Sequence, residues 1–259
     1  MLTEIKGVVI RETNVGEADK ILSIFTDSGI VSATAKGVRS IKSKFLPCCQ
    51  LFCYASYVLY SKNGYYWIKE ASLIDNFFDI RLSLEKTAAA GYICEVIDYT
   101  ATSEPCEEYL SLALNSLYAL SKDKYPVEKI KAAFEIKTAS LLGFMPDIDA
   151  CHVCQSSCES YTLDIMNGNL VCDECKSARL LEYSDPETDD GYRLPIVNIT
   201  EGARAAMHFI IHTPVRDILR FNLSDQDMLS FARGSQAYFL NHIDHEFKTL
   251  NFYYEVSNL

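Results

Sequence analysis

Residues 51–74 read LFCYASYVLYSKNGYYWIKEASLI, and this stretch decides the fold of the first part of the chain. Two runs rich in aromatic and β-branched residues, Leu51–Tyr60 and Tyr65–Ile74, flank the turn sequence Lys62-Asn63-Gly64. Asn-Gly between two such runs is a strong hairpin signal, because both turn residues must tolerate a positive φ angle. The stretch therefore predicts two antiparallel strands joined by a tight turn.

Three further short strands are predicted before this hairpin, at Ile5–Arg11, Ile21–Thr26 and Ile30–Lys36. Five short strands in about 75 residues are typical of a small closed barrel, and the count and length fit an OB-type barrel. An SH3-like barrel fits nearly as well from the pattern alone. We predict a barrel domain over residues 1–80, with most of its aromatic rings in the core.

Beyond Arg81 the apolar residues recur with the spacing of helices. Helices are predicted over residues 84–99, 127–142 and 201–212, and Leu110, Leu114 and Leu117 lie on one face of another. Ser224 and Asp227 resemble a capping box that starts a last long helix. The chain is thus predicted as α+β, with a five-stranded OB-type barrel followed by an all-helical domain over residues 81–259.

Four cysteines in the helical part have the spacing of a metal site, C-x2-C-x17-C-x2-C. Four thiolates fill the coordination sphere of a tetrahedral ion, so the pattern predicts one structural Zn²⁺ in a zinc-ribbon-like insert at residues 150–178. Two disulfides or free thiols are the alternative, which a reducing cytosol disfavours. Cys158 lies nearby as an alternative ligand. The predicted ligands are Cys151, Cys154, Cys172 and Cys175.

The other cysteines sit among apolar residues and are expected to be small buried side chains. They are Cys48, Cys49, Cys53, Cys94 and Cys106.

The net charge of −11 argues at first against nucleic acid, because phosphates need Lys and Arg. The charge is uneven, however: residues 1–80 carry +1 and residues 81–259 carry −12. Residues 28–69 contain six Lys or Arg and no acid. A basic loop beside aromatic strands is how OB-type barrels hold single strands, so we expect this loop to contact a nucleic acid rather than to be merely solvated. Its cations are Lys36, Arg39, Lys42 and Lys44.

Nothing in the sequence requires an enzyme. The common phosphate-loop and nucleophile-elbow motifs are absent from the sequence. His208 and His212 have the i, i+4 spacing of metal ligands but lack the Glu of H-E-x-x-H, and we interpret them, like His242 and His245, as ordinary surface or half-buried histidines. A zinc hydrolase is disfavoured because four thiolates leave no open metal position.

A membrane location is not expected, because no apolar run reaches the length of about 18–20 residues that a spanning helix needs. The first residues, Met1–Lys6, lack the basic and apolar regions of a secretory signal. We therefore expect a cytoplasmic protein.

Several motifs, in their order and spacing, resemble those of the RecO family of recombination mediators. They are GVVI at residues 7–10, GEADKIL at residues 16–22, AKGVR at residues 35–39, LLGFMP at residues 141–146 before the first cysteine pair, and FKTL at residues 247–250. The resemblance covers nearly the full chain. It implies an OB-fold domain, a helical domain and a zinc-finger insert packed on the helices.

The same resemblance implies binding to single- and double-stranded DNA, strand annealing, and loading of RecA onto strands coated by single-strand-binding protein (SSB). It also implies two partners, RecR and the acidic C-terminal tail of SSB, with RecA reached indirectly, in the bacterial cytoplasm at the nucleoid. By position, Lys36, Arg39, Lys42 and Lys44 fall on the family's basic loop, and the four cysteines fall on its metal site.

An acidic tail that ends in an apolar residue needs a cation beside a shallow apolar pocket. Lys129 and Lys137 lie about 80° apart on the helix predicted over residues 127–142, with Ala133 between them. We expect these three residues to form such a pocket, and two solvated lysines on an outer face are the alternative. For the whole chain the alternative function is an RNA-binding or transcription factor, since an OB groove accepts either polymer.

Overall fold

The structure is a computed structural model that describes residues 2–257, apart from residues 103, 105, 157–159 and 178–195. The chain divides into two compact units. Unit 1 comprises residues 1–127 and 247–259, and unit 2 comprises residues 128–246. These units differ from the division predicted at residue 80, because unit 1 retains helices that follow the barrel.

Unit 1 contains the strands β1 (Leu2–Val15), β2 (Asp19–Thr26), β3 (Gly29–Ala35), β4 (Tyr54–Lys62) and β5 (Tyr65–Asp75). They form a closed barrel in the order β1-β2-β3-β5-β4, which the pairing of β1 with β4 completes. All neighbours are antiparallel except β3 and β5. A five-stranded barrel followed by helices confirms the predicted fold class.

The hairpin predicted from Asn63-Gly64 joins β4 to β5. Asn63 has a φ of 52° and Gly64 a φ of 79°, and Lys62 pairs with Tyr65 across the two-residue turn. Strand β4 begins at Tyr54, later than the sequence predicts, because the residues before it form a turn. The local turn chemistry thus fixes the register of this hairpin.

Alternate residues of the strands fill the barrel interior with apolar side chains. Val9, Ile24 and Leu59 are buried there. The ring of Tyr57 is buried among them, and its hydroxyl donates a 2.7 Å hydrogen bond to the carbonyl of Cys48. That bond satisfies the polar atom that the ring carries into the core.

Six longer helices are described: α1 (Leu84–Thr100), α2 (Glu107–Lys122), α3 (Val127–Leu141), α4 (Glu201–His212), α5 (Asp225–Ile243) and α6 (Lys248–Ser257). Helices α4 and α5 start where predicted, because the side chains of Thr200 and Ser224 accept hydrogen bonds from the backbone N–H groups of Ala203 and Asp227. No described helix is long and apolar enough to cross a membrane.

The C-terminal helix α6, which the sequence did not predict, packs on α1 within unit 1. The Glu95 carboxylate accepts hydrogen bonds from the N–H groups of Lys248 and Thr249, and so caps the start of α6. The ring of Phe247 meets that of Tyr92 edge to face, with 5.5 Å between centroids. The FKTL motif therefore fastens the end of the chain to α1.

Unit 2 contains a four-stranded sheet of β6 (Asp147–Cys151), β7 (Ser160–Asp164), β8 (Asn169–Cys172) and β9 (Ile196–Thr200), in the order β6-β8-β7-β9. Strands β7 and β8 pair antiparallel as a hairpin whose turn contains Gly168, which has a φ of 68°. Strands β6 and β9 were not predicted. They extend the cysteine insert into a sheet.

Candidate metal centre and nucleic-acid surface

The four predicted metal ligands, here called the four-cysteine cluster, come together at one edge of the sheet in unit 2. Cys151 ends β6 and Cys172 ends β8, and the two strands run parallel as neighbours. A turn after β6 brings in Cys154, and a helical turn that begins at residue 173 brings in Cys175. Cys158 lies outside the described residues.

The spacing of the sulfur atoms fits a single metal ion. The four Sγ atoms lie within 4.8 Å of one another, and those of Cys154 and Cys172 are 3.7 Å apart. Four thiolates at about 2.3 Å from a tetrahedral ion lie about 3.8 Å apart, whereas a disulfide requires about 2.05 Å. Each of the four cysteines is free. The cluster could therefore hold a metal ion.

The backbone around the cluster favours thiolates. Burial opposes the ionisation of Cys151, but N–H groups of Cys154, Cys172 and Val153 hydrogen-bond its sulfur and lower its pKa to about 6. The pKa of Cys175 is raised to about 12, chiefly by its hydrogen bond with Cys172. Sulfur atoms this close share protons unless a cation balances their charge, and a divalent ion supplies that balance.

The second candidate surface is the loop that follows β3. Its four cations, Lys36, Arg39, Lys42 and Lys44, are all exposed, and we call this set the basic loop. Val38 is fully buried and anchors the loop to the barrel. Exposed cations on an anchored loop can contact a polyanion with little change in the fold.

The basic loop is fastened to the turn between β1 and β2. The Asp19 carboxylate accepts a 2.7 Å hydrogen bond from the N–H of Gly37, and the N–H of Arg39 donates to the carbonyl of Ala18. The Arg39 guanidinium also donates to the carbonyl of Gly16. The GEADKIL and AKGVR motifs therefore meet in space, the first supplying the acceptors and the second the donors of these bonds.

Aromatic rings cluster on the outside of the β4–β5 hairpin. Trp67 lies 6.0 Å from Tyr60 and 6.3 Å from Tyr65 between ring centroids, and we call these three residues the aromatic patch. Tyr65 is 70% exposed, whereas Phe52 and Tyr57 are core residues. The Lys69 ammonium lies 5.3 Å from the Tyr60 ring. The sequence pattern predicted that most rings of the barrel lie in the core, but it could not identify the rings that lie outside it.

The pairing of β3 with β5 brings the aromatic patch and the basic loop to neighbouring positions on the barrel. Strands β3 and β5 run parallel, with Ala33 beside Tyr66 and Thr34 beside Trp67. The basic loop leaves the end of β3 two residues later, at Lys36, where β5 continues toward Lys69. Cations and rings thus follow one another along neighbouring parts of the barrel.

The lysines predicted to flank a pocket on α3 are placed differently. Lys129, Ala133 and Lys137 are all buried. The Lys129 ammonium donates to the carbonyl of Phe221, and the Lys137 ammonium donates to those of Ile211 and Thr213, at 3.1 and 3.0 Å. This corrects the predicted surface pocket. The two lysines are not an exposed pair of cations, because their ammonium groups are buried and donate hydrogen bonds to backbone carbonyls.

Together the fold and the four-cysteine cluster define a class of proteins that join an OB-type barrel to helices and to four cysteines that could hold a metal ion. The family model described as Recombination protein O N terminal matches residues 1–77, and Recombination protein O C terminal matches residues 81–188. The chain belongs to the RecO family.

Full-length relatives give the same assignment. The chain is 32% identical over 250 residues to the DNA repair protein RecO of Acetivibrio thermocellus, covering 95% of this chain and 94% of that protein. It is 29% identical to the protein of the same name from Caldicellulosiruptor saccharolyticus, covering 88% and 98%. The corresponding protein of Symbiobacterium thermophilum is 28% identical, covering 97% and 96%.

Proposed function

We infer that the chain is a non-enzymatic mediator of DNA repair and homologous recombination that binds single- and double-stranded DNA through its barrel. It anneals complementary strands and helps to load RecA onto DNA coated by SSB. Its direct protein partners are RecR and the acidic tail of SSB, and it acts in the bacterial cytoplasm at the nucleoid. Membership of the RecO family, whose named relatives are DNA repair proteins, supports this proposal.

One observation carries the DNA-binding part: the exposed basic loop and the aromatic patch lie on one barrel. Lys and Arg neutralise phosphates on either kind of DNA, and exposed rings stack on the bases of a single strand. In duplex DNA the bases are already stacked, so the basic loop supplies most of the binding there.

Strand annealing tests the proposed activity. Two complementary oligonucleotides are coated with SSB, and the protein is added while duplex formation is followed by fluorescence. We expect the wild type to accelerate annealing and the Lys42→Ala/Lys44→Ala double variant to do so several-fold less. An annealing rate that the wild type leaves unchanged contradicts the proposal.

An RNA-binding role is the second candidate, because the same groove accepts either polymer. DNA and RNA oligonucleotides of one sequence are made to compete for the protein. We expect the protein to prefer DNA, or to bind DNA and RNA equally if its contacts are only to the phosphate backbone. A strong preference for RNA favours the alternative function.

Stacking on the aromatic patch has its own test. We expect Tyr65→Ala to weaken single-strand binding by about 1–3 kcal/mol per stacked base, with the salt dependence unchanged because no charge is lost. Tyr118→Ala is the matched control, since Tyr118 is a half-exposed ring on α2. If Tyr65→Ala and Tyr118→Ala lose the same amount of single-strand affinity, the aromatic patch is not the stacking surface.

Zn²⁺ is the proposed occupant of the four-cysteine cluster, because four thiolates in tetrahedral spacing suit it and leave no open position for catalysis. Metal analysis of the purified protein should give one zinc from this site. Because structural zinc contributes folding energy, Cys154→Ser and Cys172→Ser should yield protease-sensitive or aggregating protein. Folded wild-type protein with less than half an equivalent of metal contradicts this assignment.

The acidic tail of SSB is a proposed partner, and Lys129, Ala133 and Lys137 on α3 are its proposed binding site. If Lys129 and Lys137 bind the tail, their amines must leave the carbonyls that they now contact. Lys129→Gln and Lys137→Gln remove the charge and keep a hydrogen-bond donor, so circular dichroism can verify that the variants fold. Unchanged binding of a tail peptide by folded variants places the receptor elsewhere.

A further inference from the structure

Three side chains of types that can ligate a metal converge in unit 2, outside the four-cysteine cluster. They are Asp149 on β6 and His208 and His212 on α4, and their ligand atoms all lie within 4.8 Å of one another. The sequence showed only the histidine pair. The carboxylate that completes the group comes from a residue 59 positions before His208, which only the fold brings close.

Two features hold these side chains in place. His208 and His212 are one helical turn apart on α4, the spacing that many zinc-binding helices use, and their ring centroids are 4.4 Å apart. Arg204, one turn earlier, donates to the carbonyl of Ile148 at 2.9 Å and is itself held by Glu201 through two 2.7 Å bonds. Arg204 therefore fastens β6 to α4 beside Asp149.

The distances suit a small divalent ion. Ligands at about 2.1 Å from a tetrahedral ion lie about 3.4 Å apart. His208 Nε2 and Asp149 Oδ1 are already 3.3 Å apart, and a ring nitrogen of His212 lies within 4.8 Å of both ligand atoms. The side chains of His208 and Asp149 are 44% and 75% exposed, so an ion can enter from solvent without opening the fold.

We propose that Asp149, His208 and His212 form a second metal site, which takes an exchangeable divalent transition-metal ion. Two imidazoles and one carboxylate favour Zn²⁺, Ni²⁺ or Co²⁺ over Mg²⁺ or Ca²⁺, which prefer all-oxygen sites. Three protein ligands leave coordination positions for water, in contrast to the closed four-cysteine cluster. The ion links β6 to α4, and so stabilises unit 2 by an amount that grows with the logarithm of its concentration once that exceeds the dissociation constant.

Cobalt binding to the protein as isolated, with the ion of the four-cysteine cluster retained, tests the site. Co²⁺ held by nitrogen and oxygen gives weak d–d absorption, whereas Co²⁺ that enters the four-cysteine cluster adds an intense thiolate charge-transfer band. We expect one equivalent to bind with the weak bands alone, and the melting temperature to rise as Co²⁺ is added. Calorimetry gives the stoichiometry independently.

Matched variants locate the ion. Loss of an outer hydrogen-bond partner typically costs about 10–100-fold in metal affinity, so loss of a direct ligand in His212→Asn or Asp149→Asn should cost at least that much. Asp147→Asn, on the same strand, and His152→Asn, beside the four-cysteine cluster, are exposed controls that should bind as wild type does.

Three results overturn the proposal: no Co²⁺ bound beyond the ion of the four-cysteine cluster, binding accompanied only by the thiolate band, or binding that His212→Asn and Asp149→Asn leave unchanged. In any of these cases the approach of Asp149 to His208 is a surface contact without a metal role. Circular dichroism of each variant ensures that a loss of binding does not reflect a loss of folding.

Discussion

The same residue type serves two different purposes in this chain, and its surroundings decide which. Cys151 lies where backbone N–H groups stabilise a thiolate, and its pKa falls to about 6. Cys49 lies in the barrel core, where burial, and next the neighbouring Cys48, raise its pKa to about 12. Spacing separates the two groups in the sequence, because only the residues of the four-cysteine cluster occur as C-x2-C pairs.

The buried thiol of Cys49 predicts a loss of stability at high pH. The unfolded thiol ionises near pH 9.0, whereas the folded thiol keeps its proton to about pH 12. Between these values the unfolded state holds fewer protons, so the free energy of unfolding falls as pH rises, by at most about 1.4 kcal/mol per pH unit for this group.

The measurement is urea unfolding from pH 8 to pH 12 for the wild type and Cys49→Ala. The variant should have the shallower pH dependence above pH 9, because Ala cannot ionise. Val9→Ala is the control: it removes volume from the same core and should lower stability by a similar amount at every pH. Identical pH slopes for wild type and Cys49→Ala contradict the assignment.

The sequence predicted the helices and strands that a nearby turn or capping residue specifies. It did not predict strands that form only by pairing with a segment far along the chain. Asn63-Gly64 specifies its hairpin because the turn needs two positive φ angles, and Ser224 specifies the start of α5 through its own hydrogen bond. Strand β6 instead pairs in parallel with β8, about 20 residues further along the chain, and leaves no local pattern.

Helix α3 shows the same limit for side chains. Charged residues on a helix normally indicate a solvated face, which is why Lys129 and Lys137 suggested a surface pocket. Here the helix is buried on that side too, and the carbonyl acceptors come from residues 74–92 positions away. Long-range acceptors of this kind cannot be read from a helical pattern, nor could the approach of Asp149 to the histidines.

Replacing either of two glycines in unit 1 by alanine should have opposite effects on stability, because the space beside them differs. A Cβ added to Gly7 on β1 would lie 2.6 Å from the backbone carbonyl oxygen of Phe25, which cannot move without disturbing the barrel. A Cβ added to Gly91 on α1 would find its nearest neighbour at 3.6 Å, an ordinary contact.

We expect Gly7→Ala to destabilise unit 1 by about 1–3 kcal/mol through overpacking. Gly91→Ala should stabilise it by up to about 1 kcal/mol, because Ala favours the helix and costs less backbone entropy. Thermal or urea unfolding checks both, and each variant serves as the other's control. A neutral Gly7→Ala would show that β1 and β2 can separate locally.

At the scale of the whole molecule the distribution of charge matters more than its total. The chain carries −11 overall, yet residues 28–69 hold six cations and no acid, and the four cations of the basic loop are exposed. An acidic protein repels DNA at long range unless its cations are concentrated on one face. Such a protein should bind DNA through phosphate contacts confined to this loop, with an affinity that falls as the salt concentration rises.

The last prediction therefore concerns salt. Each phosphate contact contributes about 0.7 to the slope of log affinity against log salt for single strands, and about 0.9 for duplex. Lys42→Ala/Lys44→Ala should flatten that slope by about one to two units, equally for unrelated sequences, because phosphates carry no base identity. Folding should be spared, since exposed changes of this kind usually cost under about 0.5 kcal/mol.

The control is Lys122→Ala/Lys124→Ala, which makes the same change of charge at exposed lysines at and just beyond the end of α2 and should leave the slope as in the wild type. Oligonucleotide affinity is titrated with salt for all three proteins, first without RecR and then with it. If RecR supplies part of the contact surface, the wild-type slope steepens on its addition while the difference between the variants persists. A slope that Lys42→Ala/Lys44→Ala leaves unchanged in both conditions means that DNA lies elsewhere on the molecule, and that the basic loop is a solvated turn.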